Sequence, residues 1–153
     1  PSILLGKASY EKSSTAIYSY VLEGNRFFPK GDLNYIDVRD AAIITRLLVE
    51  NQAWGERFIL NKESIPYRVF FSEVAAVFGK NAPTLPLSTW LIAVAALASS
   101  IGRLLRVSKS PLNKQTAKLA QQKIRFDNGK IQNLLNYRYC SLRESLEWAK
   151  LPG

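Results

Sequence analysis

Apolar residues along the chain alternate between two periods, and the punctuation between them divides the chain into short elements. Ile3-Leu4-Leu5 is a brief apolar run ended by Gly6 and reads as a strand. Ala16, Ile17, Tyr20 and Val21 recur at helical spacing inside Ser13–Leu22, and Gly24-Asn25 stops that helix. Phe27 to Asp32 reads as a turn-rich loop, and Leu33–Ile36 as a strand. Asp37 stands where it can accept the free N–H groups of a helix running to about Asn51, with Asp40 in its first turn. Ala41, Ile44, Leu47 and Leu48 give that helix its apolar face. Arg57–Leu60 reads as another strand, and Pro66 opens a helix that ends at Gly79.

Farther on, Ser88 caps a long apolar helix, Thr89 to about Arg106. Its apolar run, 87–101, falls short of the roughly 20 residues that span a bilayer. A basic helix, Asn113–Gln122, is followed by a short strand at Lys123–Phe126. Asp127 caps a helix through Leu135, and Ser141 with Glu144 forms a capping box for the last one. Strands separated by helices predict an α/β domain with mostly parallel pairing, helix-rich and with few short strands. Leu33–Ile36 is expected to pair with Lys123–Phe126 as a small parallel ribbon. Ile3–Leu5 and Arg57–Leu60 are expected apart from it, as edge members of another sheet.

Composition sharpens the picture mainly through what it lacks. The 153 residues are 47% hydrophobic, enough for one domain with a core, and contain no Met and no His. A chain that opens Pro1-Ser2-Ile3 without Met is expected to be a processed product, a fragment or an engineered piece, with its first strand cut at the start. It shows no charged segment followed by an apolar one, as a signal peptide would. The single Cys140 excludes an internal disulfide and fits a reducing, cytoplasmic setting. Without His, the usual zinc sites and Ser-His or Cys-His pairs cannot form, so no metal site is expected.

The net charge of +9 is unevenly placed. Residues 1–80 carry ten Lys/Arg against nine Asp/Glu, and residues 81–153 eleven against three. Such asymmetry suits either a negative partner or a solvated helix face. One reading is therefore a basic adaptor that binds nucleic acid or an anionic membrane through residues 103–125, peripherally in the latter case. A nucleic-acid reader usually interleaves aromatics with its charge, and only Phe126 is at hand, so no specific nucleic acid is expected.

Chemistry for catalysis is thin. The eight glycines never come closer than seven positions, so no phosphate-cradling turn can be drawn. None of the seven tyrosines is followed four residues later by Lys. Capping accounts for Asp37 and Asp40 more cheaply than acid–base work does. The segment Ser9 to Thr15 with Tyr18 is dense in hydroxyls just past a strand end, where open α/β sheets bind ligands. Phe27, Phe28 and Tyr35 could line the same cleft or simply be core.

The ordered set of segments resembles the C-terminal part of extended short-chain dehydrogenases/reductases. Pro1 to Gly6 is similar to the strand after that family's catalytic helix, and Gly31 to Ala41 to its "N-[HY]-[VI]-x-[VD]-x-D-[VA]" segment. Gly55 to Asn61 is similar to "G-E-x-[FY]-[IN]-L", and Lys80 to Trp90 to the "G-[KR]-x-[AP]-P…P…W" passage. Phe126 to Tyr137 and Ser141 to Leu146 resemble the closing "D-x-[ST]-K-A…L-G-[YF]" and "L-x-E-[AS]-[LI]" elements. Lys7, where the family often has Pro, and Gly129, where it prefers Ser or Thr, depart from the pattern. The nearest branch is the dihydroflavonol-reductase-like and NAD-dependent epimerase/dehydratase group.

The resemblance implies that residues 1–153 are one substrate-binding domain of a Rossmann-type, NAD(P)-dependent oxidoreductase or epimerase. The dinucleotide-binding half and the Ser/Tyr/Lys catalytic group would lie upstream, so no residue here is expected to be catalytic and the chain alone is expected to be inactive. It places Pro1 and Ser2 near the nicotinamide of NAD or NADP. Ser13, Ser14, Tyr18 and Asn34 would face a small-molecule substrate. The chain is expected to self-associate or to seek the missing half.

Overall fold

A computed structural model describes residues 2–7, 16–87 and 120–150. In chain order the elements are β1 (Ile3–Leu5), α1 (Ala16–Leu22), β2 (Phe27–Phe28), β3 (Asp32–Asp37), α2 (Val38–Glu50), β4 (Glu63–Pro66), α3 (Tyr67–Phe78) and β5 (Leu85–Pro86). Two helices follow, which we number α4 (Gly129–Leu135) and α5 (Leu142–Lys150). The expected helix Thr89–Arg106 lies outside the described residues, as does all but the end of Asn113–Gln122, where Ala120 and Gln121 form a turn. Among the described residues no helix is long and apolar enough to cross a membrane.

β3 is the centre of a three-stranded sheet. β1 pairs with it in parallel, Ile3 opposite Tyr35 and Leu5 opposite Asp37, and β4 pairs with it antiparallel, Asn34 opposite Ser64. β2 and β5 form a separate parallel pair. Side chains along β3 and β1 alternate between two cores, as the period of a strand requires. Leu33 and Tyr35, with Ile3 and Leu5, join α1, α3 and α5 through Tyr18, Phe70, Val74 and Leu146. Ile36, with Leu4, faces Ile44 of α2 and Ile131 of α4.

The helix boundaries follow the residues read from sequence. Asp37 accepts the Arg39 N–H at 2.8 Å as the cap of α2. Gly79 ends α3 in the left-handed region, φ +65°, where a side chain would be strained. Ser141 and Glu144 exchange both bonds of a capping box, at 3.2 and 2.6 Å. Asp127 accepts the Gly129 N–H at 2.8 Å, although Asn128 holds the cap position itself.

The strand pairing differs from expectation in four places. Ile3–Leu5, expected in a sheet apart from Leu33–Ile36, is its direct parallel neighbour. Arg57–Leu60 is not a strand and lies outside the sheet, tied to the residue before β1 by the Ser2 N–H on the Leu60 carbonyl at 2.9 Å. The strand lies a few residues later, at β4, whose Glu63 and Ser64 break the apolar run that marks a strand. Phe27-Phe28, expected as loop, is a strand because Leu85-Pro86 returns beside it. Lys123–Phe126 forms no ladder with β3, because β1 and β4 already take both of its edges.

Candidate functional site

The segment expected to pair with β3 nevertheless lies beside it, and the fastening is a side chain. Asn34 Nδ2 donates to the Ile124 carbonyl at 2.8 Å, and Asn34 Oδ1 accepts the Phe126 N–H at 3.1 Å. One carboxamide thus serves as the peptide group that a neighbouring strand would have offered. Ser64, its partner across β4, donates to the same Oδ1 at 2.5 Å and fixes its orientation. Upstream, the Gly31 and Asp32 N–H groups donate to the Ala120 and Gln122 carbonyls at 3.1 and 3.2 Å. A Cβ on Gly31 would lie 2.4 Å from the Gln122 oxygen, so only glycine admits this approach.

Between this clasp and β1 is a concavity of about 480 Å³. Ser2, Ile3 and Leu4 form one wall, and Asp32, Leu33 and Asn34 another. Tyr67 from α3 and Phe126 from the clasped segment complete it. Ser2 and Asn34, chosen from the sequence for different roles, therefore share one site. Their polar atoms are engaged within the chain: the Ser2 hydroxyl donates to the Leu60 carbonyl at 3.0 Å, and Asn34 is the clasp. Asp32 is buried and meets the exposed Arg125 at 3.1 Å.

Tyr18, expected to face substrate, is instead fully buried among the rings of Phe70 and Phe78, with centroids 6.5 and 6.0 Å away. Its position on the inner face of α1, with Val21 one turn on, makes it core. Phe28 and Tyr35 are likewise core, whereas Phe27 is exposed. Pro1, Ser13 and Ser14 lie outside the described residues.

Two charged clusters flank the sheet. Tyr35 donates its phenol to Glu63, and Lys62 Nζ reaches that phenol at 3.2 Å and Glu63 at 3.0 Å. Burial, then Glu63, pushes the Tyr35 phenol well above its ordinary value. A tyrosine–lysine contact thus exists across 27 positions, where no fixed offset along the sequence could find it. Its carboxylate gives it the opposite electrostatics from a proton-transferring tyrosine, because the phenol is held protonated. At the carboxyl end of β3, Arg39 clamps Asp37 through Nε at 2.9 Å and a terminal nitrogen at 2.6 Å, with its guanidinium 4.3 Å from the Trp148 ring centroid. Burial opposes ionisation of Asp37, but the bonds from Arg39 and Ser145 outweigh it and hold the carboxyl below its ordinary value.

No family model matches the sequence, and no curated protein is detectably similar to it. Solved structures share its fold. The chain superposes on gox2253 with a TM-score of 0.72 at 23% identity, over 97% of its own length and 46% of that protein's. A nucleoside-diphosphate-sugar epimerase from Pseudomonas aeruginosa gives 0.69 at 19% identity, over 97% and 45%. Gre2 from Candida albicans gives 0.57 at 20%, over 97% and 40%. The chain therefore spans less than half the length of each.

A dinucleotide needs a strand-to-helix turn whose N–H groups are open to a pyrophosphate. At the β3–α2 turn, the Asp37 carboxylate occupies that place. At the β4–α3 turn, Pro66 stands at the cap. Neither turn fits such a cofactor.

Proposed function

We propose that the chain is the substrate-side part of an NAD(P)-dependent oxidoreductase or epimerase, whose dinucleotide-binding half and catalytic residues are supplied by another segment. The observation that carries this reading is the fold match over 97% of the chain to less than half of an epimerase's length. The absence of a glycine-rich turn from the sequence agrees with it. In this reading Pro1 and Ser2 approach the nicotinamide, and the concavity between β1 and the clasped segment forms part of the substrate cleft. Asn34 shapes that cleft by holding Phe126 and does not itself bond the substrate. Ser13 and Ser14 remain candidate substrate contacts. A reducing, cytoplasmic setting suits the lone Cys140, whose thiol is pushed up to about 11 by burial and by Asp40, which disfavours the thiolate.

Calorimetric titration with NAD and NADP tests the assignment. The chain alone is expected to bind neither, and binding is expected once the upstream half is added. Micromolar binding by the chain alone overturns the reading.

A further inference from the structure

We infer that Asn128-Gly129 is a site of spontaneous deamidation which the clasp holds in check, and that conversion of Asn128 releases the segment carrying Phe126. The inference is independent of the oxidoreductase reading. It starts from the chain's one Asn-Gly pair, at the position where the family that the sequence resembles prefers Ser or Thr. In such a pair the backbone nitrogen after Asn can attack the side-chain carboxamide. Glycine offers no Cβ to shield it and lets the backbone swing into place. The Gly129 nitrogen bonds to Asn128 Cγ, the Cγ–Nδ2 bond breaks, and Nδ2 leaves as ammonia with the proton that the Gly129 nitrogen gives up. Water then opens the cyclic imide at either of its carbonyls and leaves aspartate or isoaspartate. The fold itself does not require glycine here. Its φ lies outside the left-handed region, and an added Cβ would meet only the Asp127 carboxylate, at 3.0 Å.

Three features keep the closed segment from reacting. Asn128 Nδ2 donates to the Asn61 and Lys62 carbonyls at 2.9 and 3.0 Å, which fixes the leaving nitrogen against residues 61–62. The Gly129 N–H is itself donated to Asp127 at 2.8 Å. Ring closure also needs Asn128 Cβ and the Gly129 nitrogen nearly eclipsed about the Cα–C bond, and at ψ 8° tetrahedral geometry sets them well over a right angle apart. Reaction therefore waits on local opening. Side chains govern that opening: Asn34 and Ser64 accept the Phe126 N–H at 3.1 and 3.3 Å, and Asn61 Nδ2 donates to the Phe126 carbonyl at 3.2 Å. The product cannot close as before. A carboxylate at position 128 has no N–H for the two carbonyls and sets an oxygen against them, which costs stability. Isoaspartate also lengthens the backbone by a methylene at the cap of α4, where the Ile131 and Gln132 N–H groups donate to the Asn128 carbonyl at 3.0 and 3.2 Å. Each conversion thus loosens the Phe126 wall of the concavity irreversibly.

The test is timed incubation of the chain followed by mass spectrometry of the tryptic peptide 126–130, with the same incubation in urea as reference. The folded chain is expected to convert about tenfold or more slowly than the chain in urea, since only its open fraction reacts. Conversion should quicken with rising pH in both, because the attacking nitrogen must lose its proton. Asn34→Asp is expected to raise the folded rate about threefold or more, with the amides of β4 still protected, and Ser64→Ala to raise it by less. Neither should change the rate in urea. Gly129→Ser is expected to slow conversion in urea, which separates the chemistry from the fold. Asn128→Asp, which carries the product's carboxylate, is expected to exchange the Phe126 amide faster than the parent does. Equal rates in the folded chain and in urea overturn the proposal. So do indifference of the folded rate to both clasp variants and unchanged exchange at Phe126 in Asn128→Asp.

Discussion

Asp37 shows how one side chain can carry two duties that the sequence displays as one. A carboxylate before a helix reads as a cap, and it is one. The clamp by Arg39 comes from two positions along, but its guanidinium rests on Trp148 of α5, a contact that no local pattern reveals. Asp37→Ala removes both roles and is expected to cost about 2–3 kcal/mol, while Asp37→Asn keeps an acceptor for the cap and is expected to cost about 1 kcal/mol. Urea unfolding midpoints measure both. Because the folded carboxyl titrates below its unfolded value, its contribution is complete above the unfolded pKa and is lost as pH falls through the folded one. The acid limb of the stability profile should therefore be shallower in Asp37→Asn than in the parent. At Tyr35, Tyr35→Phe leaves Glu63 and Lys62 paired without the phenol between them, and about 1–2 kcal/mol should be lost.

At the scale of elements, most helix ends were legible because capping is local chemistry. Gly24, Gly79 and the Ser141–Glu144 box lie at the boundaries their residue types predict. Strand partners were not legible, since pairing joins residues tens of positions apart. Alternation together with the family resemblance led to residues 123–126 as a strand paired with β3; the ladder is absent, and side chains hold the segment beside β3 instead. Asn34→Asp tests this attachment. It keeps an acceptor for Phe126 and Ser64 but sets a carboxylate oxygen against the Ile124 carbonyl. Faster hydrogen exchange at Phe126 and faster tryptic cleavage at Lys123 and Arg125 are expected, with the amides of β4 still protected. Gly31→Ala should loosen the same segment, because its Cβ meets backbone oxygens that must move, at about 1–3 kcal/mol.

For the whole molecule, the two cores on either side of β3 enclose a sheet that ends at β1 on one side and β4 on the other. A strand at the edge of a sheet offers unpaired N–H and C=O groups to another chain. Self-association that grows with concentration is expected in sedimentation velocity, and mixing with the complementary half should suppress it; a monomer at every concentration would argue that this edge is covered. Of the residues lining the concavity, Ser2 and Asn34 were named from the sequence, one for the nicotinamide and one for the substrate. Tyr67 and Phe126 were not, because an aromatic on a helix and one in an extended segment carry no mark of facing the same space. Only the return of residues 120–126 across the sheet brings them together.

That return has a consequence for how the chain can vary over generations. A segment joined by a backbone ladder is insured against most changes, since every residue type except proline supplies the same peptide groups. The strip around Phe126 is held instead by side chains, the Asn34 carboxamide together with Ser64 and Asn61, so its attachment is written in a few particular codons. A lineage could loosen it by changing those few side chains, leaving both strand ladders of β3 intact, and reshape that side of the cavity without rebuilding the sheet.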